Sequence, residues 1–238
     1  MLEIFLTPDE ARRATLVLER LLASGLTCAL TGSIAIEAQL RAHGLSFGRR
    51  RLNDLDLVVR NLESLPSSVA ERFLLNHVHP GAPEGKLLIQ MVDPEQHLRV
   101  DVFRAYGDSL SRAQLLDSET GNIKVLALED LRARSIAQIC IPLESGRPMD
   151  IKFEVAFRRL CGKGQQMRLA EAWNDHRQGL AGTLAETSER VLRLLSERSH
   201  LLVVEEYSRQ HTPCGKCSDH ASFKLAKPEE TIAVLGYY

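Results

Sequence analysis

Short runs of alternating apolar and polar residues occupy the first half of the chain, and apolar residues at helical spacing occupy the second half. A period of two is typical of β-strands, whereas a period of 3.6 indicates amphipathic helices. The first half therefore predicts strands over 26–31, 52–59, 86–92 and 98–103. It also predicts a short edge hairpin formed by 113–116 and 123–126.

Helix signals lie between these strands. Thr7 is a suitable N-cap, Pro8 suits the first helical position, and Glu10 completes a capping box. We expect helices over 7–23, 34–42 and 66–77 and a loop over 80–85.

The character of the chain changes at residue 128. Apolar residues recur every three or four positions from there on, and Thr187 or Ser188 is the expected cap of the last helix. We expect helices over 128–139, 150–160, 166–178 and 186–202. The predicted fold class is α/β (α+β), a mixed sheet with flanking helices followed by a helical C-terminal half. The predicted domains cover 1–126 and 127–238.

Composition limits the classes of function. The 238 residues are 44% apolar and carry a formal net charge of -1, so no overall positive field attracts nucleic acid. No run approaches the ~20 apolar residues that span a bilayer, and the first residues do not form a signal peptide. Five cysteines, an odd number, do not suit a secreted disulfide framework. We therefore expect a cytoplasmic protein without a membrane partner, in which Cys28, Cys140 and Cys161 are small core residues.

Asp54 and Asp56 lie inside an otherwise apolar run. Because alternate side chains of a strand share a face, both carboxylates project to one side. Two such charges ~4 Å apart repel by ~4 kcal/mol at an effective dielectric near 20, so a compensating cation is expected. Oxygen ligands suit Mg²⁺ or Mn²⁺, and Asp101, in a second alternating run, is the candidate third ligand. A solvated edge strand is the alternative explanation of the pair.

The sequence Thr31-Gly32-Ser33 connects a predicted strand to a predicted helix. Glycine lets a backbone approach closely, and the start of a helix offers free N–H groups to an anion. This turn is therefore a candidate phosphate site, with a plain strand-to-helix connection as the alternative.

In this order, the motifs resemble the nucleotidyltransferase superfamily, which has the fold of polymerase-β-like enzymes. The residues that carry the resemblance are Leu30-Thr31-Gly32-Ser33, Arg51-Leu52-Asn53-Asp54-Leu55-Asp56 and Val100-Asp101-Val102. The wide gap between Ser33 and Asp54, and the segment 125–131, are similar to the branch with AbiEii-type toxins of toxin–antitoxin systems and small-molecule nucleotidyltransferases. The resemblance covers about 26–160.

The resemblance implies an enzyme that transfers a nucleoside monophosphate from an NTP, such as ATP, to a hydroxyl group and releases pyrophosphate. Asp54, Asp56 and Asp101 would be the catalytic residues and the ligands of Mg²⁺ or Mn²⁺. Gly32 and Ser33 would bind phosphates. Arg49, Arg50 and Arg51 form either an anion-binding loop or a solvated basic loop, with Arg51 the strongest candidate for phosphate contact.

Family members often carry a lysine in the helix after segment 125–131, where this chain has Arg132-Ala133-Arg134-Ser135. Lys152 in the next helix is therefore the expected substitute at the nucleotide. The acceptor stays open between a small molecule, RNA and a protein. The alternatives are a non-catalytic member that binds a nucleotide or a partner, and a toxin-type enzyme that modifies RNA.

The C-terminal tail, about 207–238, contains a Cys-x-x-Cys sequence between two histidines. Four such ligands can complete a tetrahedral site, so one interpretation is a structural Zn²⁺. The alternative is a polar tail with free thiols. The candidate ligands are His211, Cys214, Cys217 and His220.

Overall fold

A computed structural model of the protein describes residues 2–45, 51–62, 65–80, 86–116 and 123–204. For 76–80, 86, 87 and 166 it describes the backbone alone. The described residues form two compact units. Unit 1 contains the described residues up to Ala105 together with Ala113–Val125, and unit 2 contains Tyr106–Arg112 and the described residues from Leu126 onward. The predicted domain division extends to residues outside this part of the chain and stays a prediction.

Unit 1 is built on a seven-stranded mixed sheet with helices. Its elements are α1 (Pro8–Ala23), β1 (Cys28–Leu30), α2 (Gly32–Ala42), β2 (Asp54–Val59), α3 (Ser67–Arg72), β3 (Leu74–Pro80), β4 (Lys86–Asp93) and β5 (Leu98–Arg104); after α4 (Ser109–Arg112), which belongs to unit 2, come β6 (Gln114–Leu115) and β7 (Lys124–Val125). The strand order is β3-β4-β5-β2-β1-β7-β6. The β2–β5 and β1–β7 pairs are parallel, and the other neighbours are antiparallel.

Local signals set the first helix as predicted. Thr7 accepts a hydrogen bond from the Glu10 backbone, and the Glu10 side chain accepts one from the Thr7 backbone, which is the reciprocal capping box. One face of α1 is buried through Ala14, Val17 and Leu21, at helical spacing. The predicted hairpin is also confirmed, because β6 pairs antiparallel with β7.

The predicted helix over 66–77 is wrong in its second half. Helix α3 ends at Arg72, and Leu74–Pro80 forms strand β3, which pairs antiparallel with β4. Phe73 and Leu75 are buried where the chain changes from helix to strand. Pairing with a strand that follows later in the chain outweighs the local helical pattern.

Unit 2 is mainly helical. Besides α4, it contains the helices α5 (Leu128–Glu144), α6 (Ile151–Leu160), α7 (Gln166–His176) and α8 (Leu184–Glu197) and the short strands β8 (Met149–Asp150) and β9 (Leu202–Val203). Side chains of α5, α6, α7 and α8 share one apolar core, in which Cys140, Phe157 and Trp173 are buried. The fold-class prediction of a mixed sheet with flanking helices, followed by a helical C-terminal part, is confirmed.

Three predictions about unit 2 are wrong. The last helix, predicted over 186–202, is α8 and ends at Glu197, and Leu202–Val203 forms strand β9. Thr183, not Thr187 or Ser188, caps α8, and it forms a capping box with Glu186. The Thr187 hydroxyl instead donates to the Thr183 carbonyl at 2.9 Å, within the helix. Cys161 is exposed, whereas Cys28 and Cys140 are buried as expected.

A buried network of charged side chains joins the segment Tyr106–Arg112 to helices α5 and α7 within unit 2. Arg112 donates from Nε and Nη2 to the two carboxylate oxygens of Asp130, at 3.0 and 2.6 Å. It also donates to Asp175 Oδ2 at 2.5 Å, and His176 Nε2 lies 3.0 Å from Asp130 Oδ1. Burial raises the pKa of Asp130, but hydrogen bonds from His176 and Arg112 hold it below its usual range.

Within the part of the chain that the structure describes, no helix has both the length and the apolar character needed to span a membrane.

Candidate active site

The turn between β1 and α2 brings an aspartate of the neighbouring strand against the start of a helix. The Thr31 amide donates to the Asp56 carbonyl at 2.9 Å, which extends the β1–β2 pairing to this residue. Gly32 has a φ of +67°, and a Cβ built there would lie 1.9 Å from Asp56 Oδ2. The Asp56 carboxylate therefore occupies the space that a side chain at position 32 would need.

The first turn of α2 is open toward solvent at Ser33, which is partly exposed, and the Thr31 side chain does not cap the helix. The amides at the start of a helix carry positive partial charge and lack partners within the helix. This end of α2 therefore suits an anion. The structure brings Gly32 and the Asp56 carboxylate together, and Ser33 follows Gly32 in the first turn of α2.

A row of polar residues crosses three strands at this level. Parallel pairing places Asp56 beside Asp101, and antiparallel pairing places Gln90 of β4 on the other side of Asp101. One step along, Asp54 lies beside Arg99. Because residues two apart on a strand share a face, the three predicted acids lie on the same face of the sheet.

Asp101 is the most buried of the three acids, with 6% of its surface exposed. Burial, reinforced by the charge of Asp54, raises the pKa of Asp101 to about 6, while Arg99 and a hydrogen bond from Gln90 act in the opposite direction. Gln90 Nε2 donates to Asp101 Oδ2 at 3.3 Å. Asp101 Oδ1 is buried and accepts no hydrogen bond from the described residues.

Arg99 is a cation that contacts this cluster. Its Nη2 donates to Asp54 Oδ2, and its Nε lies 3.2 Å from Asp101 Oδ1. One guanidinium thus contacts two of the three carboxylates that the sequence assigns to a metal.

The donor chemistry fits a hard divalent cation, since three carboxylates share a face and a buried oxygen of Asp101 has no hydrogen bond within the described residues. Among those residues, however, no three His, Cys, Asp or Glu side chains are placed to hold one metal ion together. The assignment of Asp54, Asp56 and Asp101 as metal ligands stays a prediction.

The remaining candidate residues are placed as follows. Arg51 is exposed shortly before β2, and Arg49 and Arg50 lie outside the described residues. Lys152 belongs to unit 2, where its ammonium lies 3.1 Å from Asp150 Oδ2. The nucleotide-binding roles of Arg51 and Lys152 stay predictions. The proposed zinc ligands His211, Cys214, Cys217 and His220 also lie outside the described residues.

Sequence reasoning missed Arg99 and Gln90. Arg99 stands two residues before Asp101 in an alternating run, so a period of two already placed it on the same face. Gln90 carried no such signal, because its position beside Asp101 depends on the register between β4 and β5.

Comparison with known proteins adds little to this geometry. No family model and no curated protein match the chain. Two solved structures from Helicobacter pylori resemble it with a TM-score of 0.34 each. One is described as a candidate nucleotidyltransferase, with 10% identity over 82% of this chain and 95% of that chain. The other, JHP933, has 11% identity over 82% of this chain and 97% of that chain. At these values the likeness carries no weight for the activity.

Proposed function

We propose that this protein is a metal-dependent nucleotidyltransferase, which transfers a nucleoside monophosphate from an NTP to an acceptor hydroxyl and releases pyrophosphate. The observation that carries the proposal is the position of the Asp56 carboxylate, against Gly32 at the start of α2 and beside Asp101. An acidic row next to the start of a helix joins groups that suit a metal with groups that suit phosphate.

In this proposal, Asp54, Asp56 and Asp101 supply oxygen ligands to Mg²⁺ or Mn²⁺. When bound, the metal would neutralise charge on the triphosphate and on the attacking and leaving oxygens.

The chain's own residues would mainly bind and orient the substrates. The first amides of α2 and the Ser33 hydroxyl would donate to phosphate oxygens. Asp101 would favour removal of the proton from the acceptor hydroxyl, with Oδ1 as the oxygen that accepts no hydrogen bond from the described residues. Arg51 and Lys152 are the proposed further phosphate contacts.

The acceptor within this proposal is a small molecule, an RNA or a protein. The toxin-type RNA-modifying enzyme is one such version.

A non-catalytic member of the fold is the second candidate, and the position of Arg99 favours it. A guanidinium that contacts Asp54 and Asp101 neutralises carboxylates that catalysis would commit to a metal. Such a protein would bind a nucleotide through the start of α2 without needing a divalent cation.

Calorimetric titration separates the two candidates. Each of the four NTPs is titrated into the protein with Mg²⁺ or with EDTA, and transfer is followed as release of pyrophosphate. The enzyme proposal expects Mg²⁺-dependent binding of at least one NTP that Asp56→Asn removes. Asp9→Asn is the matched control, because Asp9 is an exposed aspartate at the start of α1. Equal binding with EDTA supports the non-catalytic candidate, and absence of NTP binding under all conditions contradicts both.

A further inference from the structure

Arg99 contacts two carboxylates that the proposed function assigns to a metal, those of Asp54 and Asp101. It lies directly beside Asp54 in the β2–β5 pairing and two residues before Asp101 on its own strand. Both carboxylates are well buried, with 14% and 9% of the side chains of Asp54 and Asp101 exposed. The contact is therefore made away from bulk water, where an ion pair is screened least.

The carboxylates need a positive partner at this place. Asp54 and Asp101 lie on the same face of neighbouring strands and are largely buried, so their like charges repel each other. An arginine is suited to the role because its planar fork reaches two carboxylates at once and stays charged at all relevant pH values. A lysine ammonium offers a point charge and no such fork.

A divalent cation would need the same oxygens. Asp54 Oδ2 and Asp101 Oδ1 are the atoms that Arg99 contacts. A guanidinium and a metal ion cannot lie on these oxygens together, because the two positive charges repel over a distance of a few ångströms.

We propose that Arg99 is a resident counter-ion of the acidic row, which competes with the divalent cation for Asp54 and Asp101 and must turn away before the metal binds. This inference rests on the proposed function only in assigning a metal to these carboxylates. Arg99 is accordingly a residue that sets metal affinity, not a catalytic residue.

The test is calorimetry with Mn²⁺ alone, without nucleotide. If the Arg99-paired arrangement leaves about a tenth of the molecules ready for metal, its removal tightens Mn²⁺ binding about tenfold. We expect this change for Arg99→Gln. We expect a smaller change for Arg99→Lys, which keeps the charge but loses the fork.

Arg104→Gln is the matched control, because it removes the same charge from an exposed position on the same strand. Position 104 is about 17 Å from position 99 at about 3.4 Å per residue, and it projects from the other face. Its Mn²⁺ affinity should equal that of the wild type. Unchanged Mn²⁺ affinity in Arg99→Gln, including absence of binding in both proteins, overturns the inference, and so does an equal gain in Arg104→Gln.

A second measurement uses the folded wild type and does not depend on the stability of any variant. The Arg99 Nε–H resonance, assigned by its loss in Arg99→Lys, is followed in a nitrogen-15 NMR spectrum during titration with diamagnetic Mg²⁺. A progressive shift of this signal as the metal binds supports the proposal that Arg99 leaves the carboxylates when the metal arrives. A signal that stays in place while calorimetry shows bound Mg²⁺ overturns it.

Failure of the inference and failure of the proposed function give different results. The inference fails on the Mn²⁺ affinity of the Arg99 variants. The proposed function fails on metal-dependent NTP binding and pyrophosphate release by the wild type. If the wild type binds an NTP with Mg²⁺ but Arg99→Gln leaves the Mn²⁺ affinity unchanged, the proposed function stands and the counter-ion role of Arg99 is rejected.

Discussion

At the scale of single residues, Gly32 is constrained twice. Its φ of +67° disfavours any side chain, and the Asp56 carboxylate fills the space where a Cβ would lie. These two constraints can be separated experimentally, because Gly44 has nearly the same φ, +66°, and no atom of the described residues lies within 4 Å of its Cβ position.

We predict that Gly32→Ala lowers the free energy of unfolding more than Gly44→Ala does. The backbone cost at either position is about 1–2 kcal/mol, and the displaced Asp56 carboxylate adds to it only at position 32. Urea unfolding followed by circular dichroism measures the difference. Equal losses in the two variants would show that the Asp56 contact adds nothing.

The raised pKa of Asp101 predicts how the stability of the metal-free protein depends on pH. Its folded pKa of about 6 lies above the ordinary carboxyl value, so between about 3.9 and 6 the folded state binds more protons there than the unfolded chain. The free energy of unfolding contributed by this group therefore falls as the pH rises through that window.

Asp101→Asn removes this dependence. In EDTA, we expect the variant to be more stable than the wild type at pH 7, on the order of 2 kcal/mol, with the difference shrinking as the pH falls from 6 to 4. Unfolding in urea at several pH values measures this, and the exposed Asp9→Asn serves as the control. Parallel curves for the Asp101 variant and the wild type would contradict the elevated pKa.

At the scale of elements, helix α8 shows how a start signal can be misplaced by four residues. Thr183 and Glu186 cap the helix, while the Thr187 and Ser188 hydroxyls donate to carbonyls four residues back. Such back-bonding is neutral or slightly unfavourable for a helix, whereas a lost cap typically costs ~1 kcal/mol.

We therefore predict that Thr183→Ala destabilises unit 2 by about 1 kcal/mol, and that Ser188→Ala changes its stability by less than about half of that. Trp173, the single tryptophan, is buried in the core of unit 2, so its fluorescence during urea unfolding reports on this unit. A larger loss for Ser188→Ala than for Thr183→Ala would contradict the assigned cap.

The elements that the sequence predicted well are those with local causes. The capping box at Thr7 and the alternation around Asp54 act within a few residues, so pattern alone placed α1 and β2. Strand β3 could not be found in this way, because its partner β4 follows later in the chain. The acids of the site were predictable by face, but their partner Gln90 depended on a register that only the folded sheet defines.

At the scale of the whole molecule, unit 2 depends on a segment that precedes most of it in the chain. Arg112 supplies the guanidinium for Asp130, which is fully buried on α5. Removing one partner of a buried ion pair leaves the other charge without compensation.

We predict that Arg112→Met lowers the stability of unit 2 by about 3 kcal/mol, because buried Asp130 then loses the guanidinium that neutralises it and, among the described contacts, keeps the hydrogen bond with His176. Trp173 fluorescence during urea unfolding measures the loss. Arg193→Met, at an exposed position of α8, is the matched control and should change little. A neutral effect of Arg112→Met would contradict the role of Arg112 as the counter-charge of buried Asp130.

The assignment of Tyr106–Arg112 to unit 2 also limits how the chain can be divided or exchanged between proteins. The helical unit is not one continuous stretch, since β6 and β7 of unit 1 lie between its two parts. A fragment that begins after residue 126 would keep Asp130 and Asp175 but lose the arginine that neutralises them. Recombination at that point would pass on a helical module with an uncompensated buried acid, so a transferable version of unit 2 must also carry the segment Tyr106–Arg112.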